Sequence, residues 1–199
     1  MKHIAEQTEL PLGVSSSPRQ VIIGLLGAKQ SGKDSVYAAI ARHTFATRLA
    51  FADGVKEEIA DAVGMPVAWI EEHKEKLRVL LQVWGTELRR DLFDRDYWVK
   101  HLILKMNRVR TPLVVVTDVR FPNEANAIIE RGGILARVIR SEMHTPADGH
   151  RSESWWVTDE ARRLAPQTIE NFGGLDELDM NVRTFLRENE LPRSHHDCR

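Results

Sequence analysis

The stretch Val21-Ile22-Ile23-Gly24-Leu25-Leu26, followed by Gly27-Ala28-Lys29-Gln30-Ser31-Gly32-Lys33-Asp34-Ser35, decides how the chain is read. Continuous apolar residues such as the first six mark a strand buried on both faces. The next residues contain a GxxxxGK core, Gly27 to Lys33, and open a helical pattern with Val36, Ala39, Ile40 and His43 on one face. Strand, glycine loop and helix form the setting in which that spacing has a physical purpose. Glycines let the backbone turn so tightly that successive N–H groups point at one anion, and the helix N-terminus adds partial positive charge. Residues Gly27 to Ser35 are therefore expected to cradle the phosphates of a nucleotide such as ATP, with Lys33 a point charge for the β- and γ-phosphates. The usual Ser or Thr after the lysine is Asp34 here, and Ser35 comes one position later. The expected Mg²⁺ ligand is either the Ser35 hydroxyl or the Asp34 carboxylate, direct or through water. Asp34 alternatively serves as a first-turn acid of the helix.

Working outward, Leu113-Val114-Val115-Val116-Thr117-Asp118 is a second apolar, β-branched strand that delivers a carboxylate at its end. Asp118 has the look of the acid that a strand beside a phosphate loop presents to Mg²⁺, although a strand-end Asp also makes a turn. Arg120 lies just beyond, where open α/β sheets bind ligands, and a guanidinium there can clamp a phosphate bidentately. Thr47 to Ala52 is expected to be a short strand, and Val55, Ile59, Ala62 and Val63 mark an amphipathic helix stopped by Gly64 and Pro66. From Trp69 to Arg110 the period is helical, with a break near Asp94 to Asp96. Pro122 suits the first turn of a helix closing at Gly132-Gly133. Ile134 to Ile139 and Thr168 to Asn171 read as strands, and Leu175, Leu178, Val182 and Phe185 as the last helix. Strands alternating with helices imply an α/β, three-layer fold around a central parallel sheet. Residues 1–19 and 188–199 read as loose tails, leaving 20–187 as one domain.

Composition narrows the classes. The 199 residues are 42% apolar and 29% charged, which fits a globular domain and neither a disordered chain nor a membrane protein. A formal net charge of −1 offers no basic field, so neither nucleic acid nor an anionic membrane is expected as a partner. With Cys198 as the single cysteine, a disulfide scaffold and a cysteine-rich metal site are excluded. His195, His196 and Cys198 sit together in the C-terminal tail and read as solvent-exposed. No apolar run approaches the ~18 residues of a membrane span, and the N-terminus has no signal-like stretch. A soluble, cytoplasmic protein is expected.

No Asn-Lys-x-Asp segment of the kind that reads guanine is present, and the chain is short for a transport or helicase ATPase; a small-molecule kinase remains. The blocks SGKDS (Ser31–Ser35), FADGVK (Phe51–Lys56), LQVWGTELRR (Leu81–Arg90), YWV (Tyr97–Val99), TDVRFPNEA (Thr117–Ala125) and HRSE (His150–Glu153) resemble, in order over about residues 21–180, those of the deoxynucleoside monophosphate kinases of tailed phages. LQxWGTExxR and DVRFPNEA are the specific parts. The resemblance implies a P-loop, nucleoside-monophosphate-kinase-like fold with a helical acceptor region and a lid. It implies transfer of the γ-phosphoryl of ATP to a deoxynucleoside monophosphate with Mg²⁺, in the host cytoplasm if the chain is phage-encoded. On this sequence it implies Ala28 to Ser35 at the donor phosphates, with Lys33, Asp118 and Arg120 as catalytic groups. Lys56, Trp84, Glu87, Arg89, Arg90 and Arg120 would line the acceptor side. A lid over about residues 137–165 would carry Arg137, Arg140, His150 and Arg151.

The residues supply the chemistry such a transfer asks for. A phosphate acceptor with a second pKa near ~6 is already nucleophilic at neutral pH, so no general base is required. Catalysis reduces to positioning and charge neutralisation, and lid closure excludes water. Trp84 would stack on a base while Glu87 accepts from its ring N–H groups; beside Leu80, Leu81 and Leu88, Trp84 equally reads as core. Arg137, Arg140, Arg151, Arg162 and Arg163 read either as lid contacts or as solvated surface. Trp69, Trp98, Trp155 and Trp156 read as packing residues; the adjacent Trp155-Trp156 pair alternatively marks a subunit contact, as of a homodimer. Two other readings stay open: another small-molecule kinase, such as a phosphomevalonate-type or sugar-acid kinase, of which those with a hydroxyl acceptor would need Asp53 as base, and an ATP-binding switch or assembly protein without useful turnover.

Overall fold

A computed structural model describes residues 20–140 and 154–191. Its strands β1 (Val21–Leu26), β2 (Ala46–Leu49), β3 (Leu113–Val116), β4 (Ile134–Ile139) and β5 (Gln167–Glu170) form one sheet in the order β2-β3-β1-β4-β5. Every pairing is parallel, with Val21 opposite Leu113 and Gly24 opposite Val116 across the two central strands. Parallel strands need covered faces, and side-chain alternation divides the apolar residues between two layers. Ile22, Leu26, Val114 and Val116 pack on the layer of α2 (Phe51–Val63), α3 (Val67–Glu72), α5 (Tyr97–Met106), α6 (Pro122–Glu130) and α7 (Asp159–Leu164). Ile23, Leu25, Val115 and Ala136 pack on α1 (Lys33–His43) and α8 (Leu175–Glu188). The three-layer α/β expectation holds.

The connection after β1 leaves past β3 to β2, and the one after β3 leaves past β1 to β4. The topological switch point therefore lies between β1 and β3, where open sheets bind ligands beyond their strand ends.

Two local expectations are corrected. The strand expected over Thr47 to Ala52 ends at Leu49, and a helix begins at Phe51. The reason is distant in sequence: the Asp118 carboxylate accepts the N–H groups of Phe51 (2.8 Å) and Ala52 (2.9 Å), which gives α2 its N-terminus. The helical stretch after Trp69 is not uniformly α. The short α4 (Arg78–Gln82) runs into a π-helix, Val83–Phe93, which then stops before α5 at Asp94, as expected for that break. Its wider turn brings residues five apart into line.

Trp155 is buried and donates through Nε1 to Glu160 at 2.9 Å, and Trp156 packs half-buried against the same core layer. Asp179 of α8 joins α1 by accepting from Arg42 (2.7 Å) and meeting His43 Nε2 at 2.9 Å. Among the described residues, no helix is long and apolar enough to cross a membrane.

Candidate active site

The loop after β1 is held in shape by backbone conformations that only certain residues tolerate. Gly27 has φ +148° and Gly32 φ +94°. A Cβ at Gly27 would lie 2.5 Å from the Val138 carbonyl oxygen, and one at Gly32 would lie 2.1 Å from Nδ2 of Asn171. Asn171, just beyond β5, donates through Nδ2 to the Ser31 carbonyl at 2.9 Å while its own N–H reaches Ile139 O at 2.8 Å. It thus straps the loop to the sheet, a function no motif advertises. Lys33 folds over the loop and donates to the carbonyls of Gly27 (2.8 Å) and Ala28 (2.7 Å).

A cavity of about 480 Å³ opens at the carboxyl ends of β1 and β3. From the loop it is lined by Lys29, Gln30, Lys33 and Asp34, and from the strand β3 exit by Asp118 and Arg120. Lys56, Lys74 and Arg78 add charge from the helical side, and Gln82, Thr86 and Trp98 continue that wall. The structure therefore brings Lys29, Gln30, Lys33, Asp34, Asp118 and Arg120 together at one space, with Lys56 beside them. Ser35 is exposed and is not among the cavity-lining residues.

Four residues expected on the acceptor side have other surroundings. Glu58 of α2 accepts hydrogen bonds from Trp84 Nε1 (2.9 Å), Arg89 Nε (2.6 Å) and the Tyr97 hydroxyl. Burial works against its charge, but these three donors hold the Glu58 carboxyl below its usual range. The π-helical step stacks the Arg89 guanidinium over Trp84 at 5.3 Å, with Phe93 at 5.3 Å and Tyr97 at 5.4 Å around it. Arg90 is buried, lies 3.7 Å over the Phe121 ring and donates to Asn123 Oδ1 at 2.7 Å. It ties the π-helix to the start of α6. Glu87 is exposed. None of Trp84, Glu87, Arg89 and Arg90 lines the cavity.

Of the residues expected in a lid over 137–165, Arg137 instead lies within β4 and donates to Ala165 O (3.1 Å) and Thr168 Oγ1 (3.1 Å), while Arg140, just after the strand, reaches the loop carbonyl of Gln30 at 3.4 Å. His150 and Arg151 lie outside the described residues. Arg162 pairs with its neighbour Asp159 at 3.2 Å on the surface.

Sequence reading did not single out Arg48. It leaves the end of β2, lines the cavity, and bridges Asp34 (3.0 Å) and Asp53 (3.1 Å). Burial opposes its charge, and Asp53 and Asp34 more than restore it. Asp53, the carboxylate that a hydroxyl acceptor would need as base, is thus held by Arg48, with Lys56 at 3.9 Å on its other side.

The cavity floor holds two buried acids. Burial pushes the Asp118 carboxyl up, against the pull of Arg120 and the two N–H donors of α2. Glu124, in the first turn of α6, is pushed up to about 8, by burial first and by nearby Asp118 as well. Its Oε2 alone accepts the N–H groups of Arg120 (2.8 Å) and Phe121 (3.1 Å), the helix-start pattern that satisfies otherwise unpaired donors. A carboxyl whose folded pKa is raised from 4.5 to about 8 contributes stability below the lower value that is lost as pH climbs through the higher. Glu124→Gln keeps the accepting oxygen and removes the titration. Between pH 5 and about 8 the wild type should lose stability relative to this variant, read as the difference of two urea midpoints across pH. Parallel pH curves would show that Glu124 does not titrate in that window.

Among the described residues, no group of three or more His, Cys, Asp or Glu side chains is placed to hold a metal ion. Asp34 is the cavity carboxylate most open to a cation, since both Asp118 oxygens already accept backbone N–H groups. A hard cation of the Mg²⁺ kind commonly takes one or two protein carboxylates and completes its shell with phosphate and water, and Asp34 beside the loop suits that. The arrangement as a whole is an anion-binding loop facing ammonium and guanidinium groups across one space.

Comparison with known proteins bears on most of the chain. A family profile described as deoxynucleotide monophosphate kinase matches residues 65–182. The phosphate loop lies before that match and stands on its own geometry. A putative deoxynucleotide monophosphate kinase of Acanthamoeba polyphaga mimivirus is 30% identical over 159 residues, covering 67% of this chain and 80% of that protein. The deoxynucleoside-5'-monophosphate kinase of Escherichia phage T5 is 30% identical over 114 residues, 54% of this chain and 44% of that one. For the deoxynucleotide monophosphate kinase of Escherichia phage RB69 the identity is 32% over 114 residues, with 56% and 45% covered. This chain thus spans less than half the length of the two phage relatives.

Proposed function

The chain belongs to the deoxynucleotide monophosphate kinase family, and from that premise we propose that it transfers the γ-phosphoryl group of ATP to a deoxynucleoside monophosphate. The observation that carries the proposal is the cavity of about 480 Å³ in which the phosphate loop, with Lys33, meets Lys56 and Arg120. In the reaction, an oxygen of the acceptor phosphate forms a bond to the γ-phosphorus as the bond from that phosphorus to the β,γ-bridging oxygen breaks. ADP departs with that electron pair, and the acceptor becomes a diphosphate. With a second pKa near ~6, the acceptor phosphate needs no proton removed at neutral pH.

The residues then act by position and charge. The loop N–H groups and the N-terminus of α1 bind the donor phosphates. Lys33 exchanges its two carbonyl partners for the β- and γ-phosphates, and Arg120 faces the charge that spreads over the transferred group. Mg²⁺, which would neutralise charge between the β- and γ-phosphates, would be held by Asp34. Arg48, released from Asp34 and Asp53, is in reach of the same space.

The test is release of ADP from Mg-ATP with each common deoxynucleoside monophosphate and its ribonucleotide counterpart, one at a time. ADP release stimulated at least tenfold by some deoxynucleotides is expected, and the pattern reads out base and sugar preference together. ATP hydrolysis indifferent to every monophosphate would overturn the proposal and favour an ATP-binding switch.

A further inference from the structure

The helical wall of the cavity carries two lysines whose arrangement is unusual. Lys56 from α2 and Lys74 from the turn after α3 both line the cavity, and like charges brought to one wall repel unless something holds them. Glu71 does so. Its Oε2 lies 2.5 Å from Lys56 Nζ and its Oε1 lies 2.5 Å from Lys74 Nζ, so one carboxylate spans both ammonium groups. Glu71 itself is not among the cavity-lining residues. Hydrogen bonds from Lys56 and then Lys74 hold its carboxyl down to about 2, so it is charged at neutral pH. Lys74 gains in return: Glu71 raises its pKa. The ammonium groups are presented to the cavity by an acid that stands outside it.

Two further contacts say where that pair points. Glu75, the residue after Lys74, forms an ion pair with Lys29 of the phosphate loop at 2.9 Å. Asp34, at the start of α1, is close enough to support the Lys74 charge. An anion held between Lys56 and Lys74 would therefore lie next to the loop that holds the donor.

We infer that Lys56 and Lys74, set side by side by Glu71, form a two-ammonium clamp for the phosphate of the acceptor nucleotide. The inference rests on the proposed kinase activity and adds to it a residue, Lys74, and a positioning residue, Glu71. A phosphate monoester carries about −1.5 to −2 charge at neutral pH. It matches two ammonium groups that one carboxylate already bridges, and each ammonium has three N–H donors, enough to keep Glu71 and bind phosphate. Neither base nor sugar is contacted by the clamp.

The experiment compares wild type and Lys74→Ala in steady-state kinetics with a deoxynucleoside monophosphate as acceptor. The matching deoxynucleoside, which lacks the phosphate, serves as a competitive inhibitor. Lys74 is a half-exposed side chain, so the variant folds. A lost hydrogen bond to a charged partner should raise the acceptor KM about tenfold or more. The KM for ATP and the inhibition constant of the deoxynucleoside should stay within twofold. Lys56→Ala should act on the same constant, and the double variant by less than the product of the two single effects. An unchanged acceptor KM in an active Lys74→Ala enzyme would overturn the clamp and leave the kinase activity standing, as would an equal shift for the deoxynucleoside. A wild-type protein that phosphorylates no monophosphate would overturn the activity itself.

Discussion

Lys33→Ala is expected to lower turnover by about 10²–10³-fold, the loss typical of deleting one donor aimed at charge that develops in a transition state. The side chain reaches over a loop whose backbone is fixed without it. Gly27 and Gly32 have the positive φ values the turn needs, and Asn171 pins the Ser31 carbonyl from the far side. Removing the ammonium group takes away two hydrogen bonds to loop carbonyls, each worth about 1.5–3 kcal/mol at most for a charged donor. Lys33 and both hydrogen bonds are only part-buried, so the net cost to folding is smaller. The expected signature is a large fall in kcat with an unchanged circular dichroism spectrum and a melting temperature within a few degrees. Because charge neutralisation in the transition state is the proposed role, the fall should exceed any rise in the KM for ATP. Turnover within tenfold of wild type would remove Lys33 from the mechanism.

The loop after β1 was legible because its physics is local. A buried strand, two glycines at a fixed interval and a helix start lie within fifteen consecutive residues, and each signals itself by residue type. The helical half was less legible for reasons visible in particular residues. Nothing in the period of Val83 to Phe93 announces a five-residue step, yet that step turns Arg89 onto Trp84 and both toward Glu58, away from the cavity. Glu58 itself sits in an ordinary amphipathic helix. Arg48, Lys74 and Asn171 come from a strand end, a turn and the residue after a strand, and each is placed by the tertiary fold: Arg48 against Asp34, Lys74 at the cavity wall, and Asn171 against Ser31, 140 positions away. The strand after Ala46 was read too long because the start of α2 is dictated from Asp118, 67 positions away from Phe51. Long-range hydrogen bonds to side chains leave no periodic trace.

That last contact carries the second large effect. Asp118→Ala is expected to destabilise the nucleotide-free, metal-free protein by about 1–3 kcal/mol, with the largest part from the buried N–H of Phe51, since Ala52 is half-buried at the cavity. The N–H groups of Phe51 and Ala52 each meet one Asp118 oxygen, and a buried donor left unpaired costs about 1–3 kcal/mol. A term of opposite sign exists: Asp118 is 9% exposed and its charge is disfavoured by burial, so deleting it returns part of that cost. The donors win because they are the first N–H groups of α2, where the helix dipole also favours an anion, and because the bond from Phe51 N to Asp118 is buried. Asp118→Asn should fall between wild type and alanine, since its amide offers one accepting oxygen and must turn its NH₂ toward the other donor. Denaturant midpoints measured without nucleotide or divalent cation decide the matter. A carboxylate whose sole work is to bind metal would, once removed from metal-free protein, leave stability unchanged or raise it. A clear loss shows instead that the acid beside the phosphate loop sets where α2 begins. With α2 it sets the position of Lys56, so that variants of Asp118 should raise the acceptor KM as well as lower kcat.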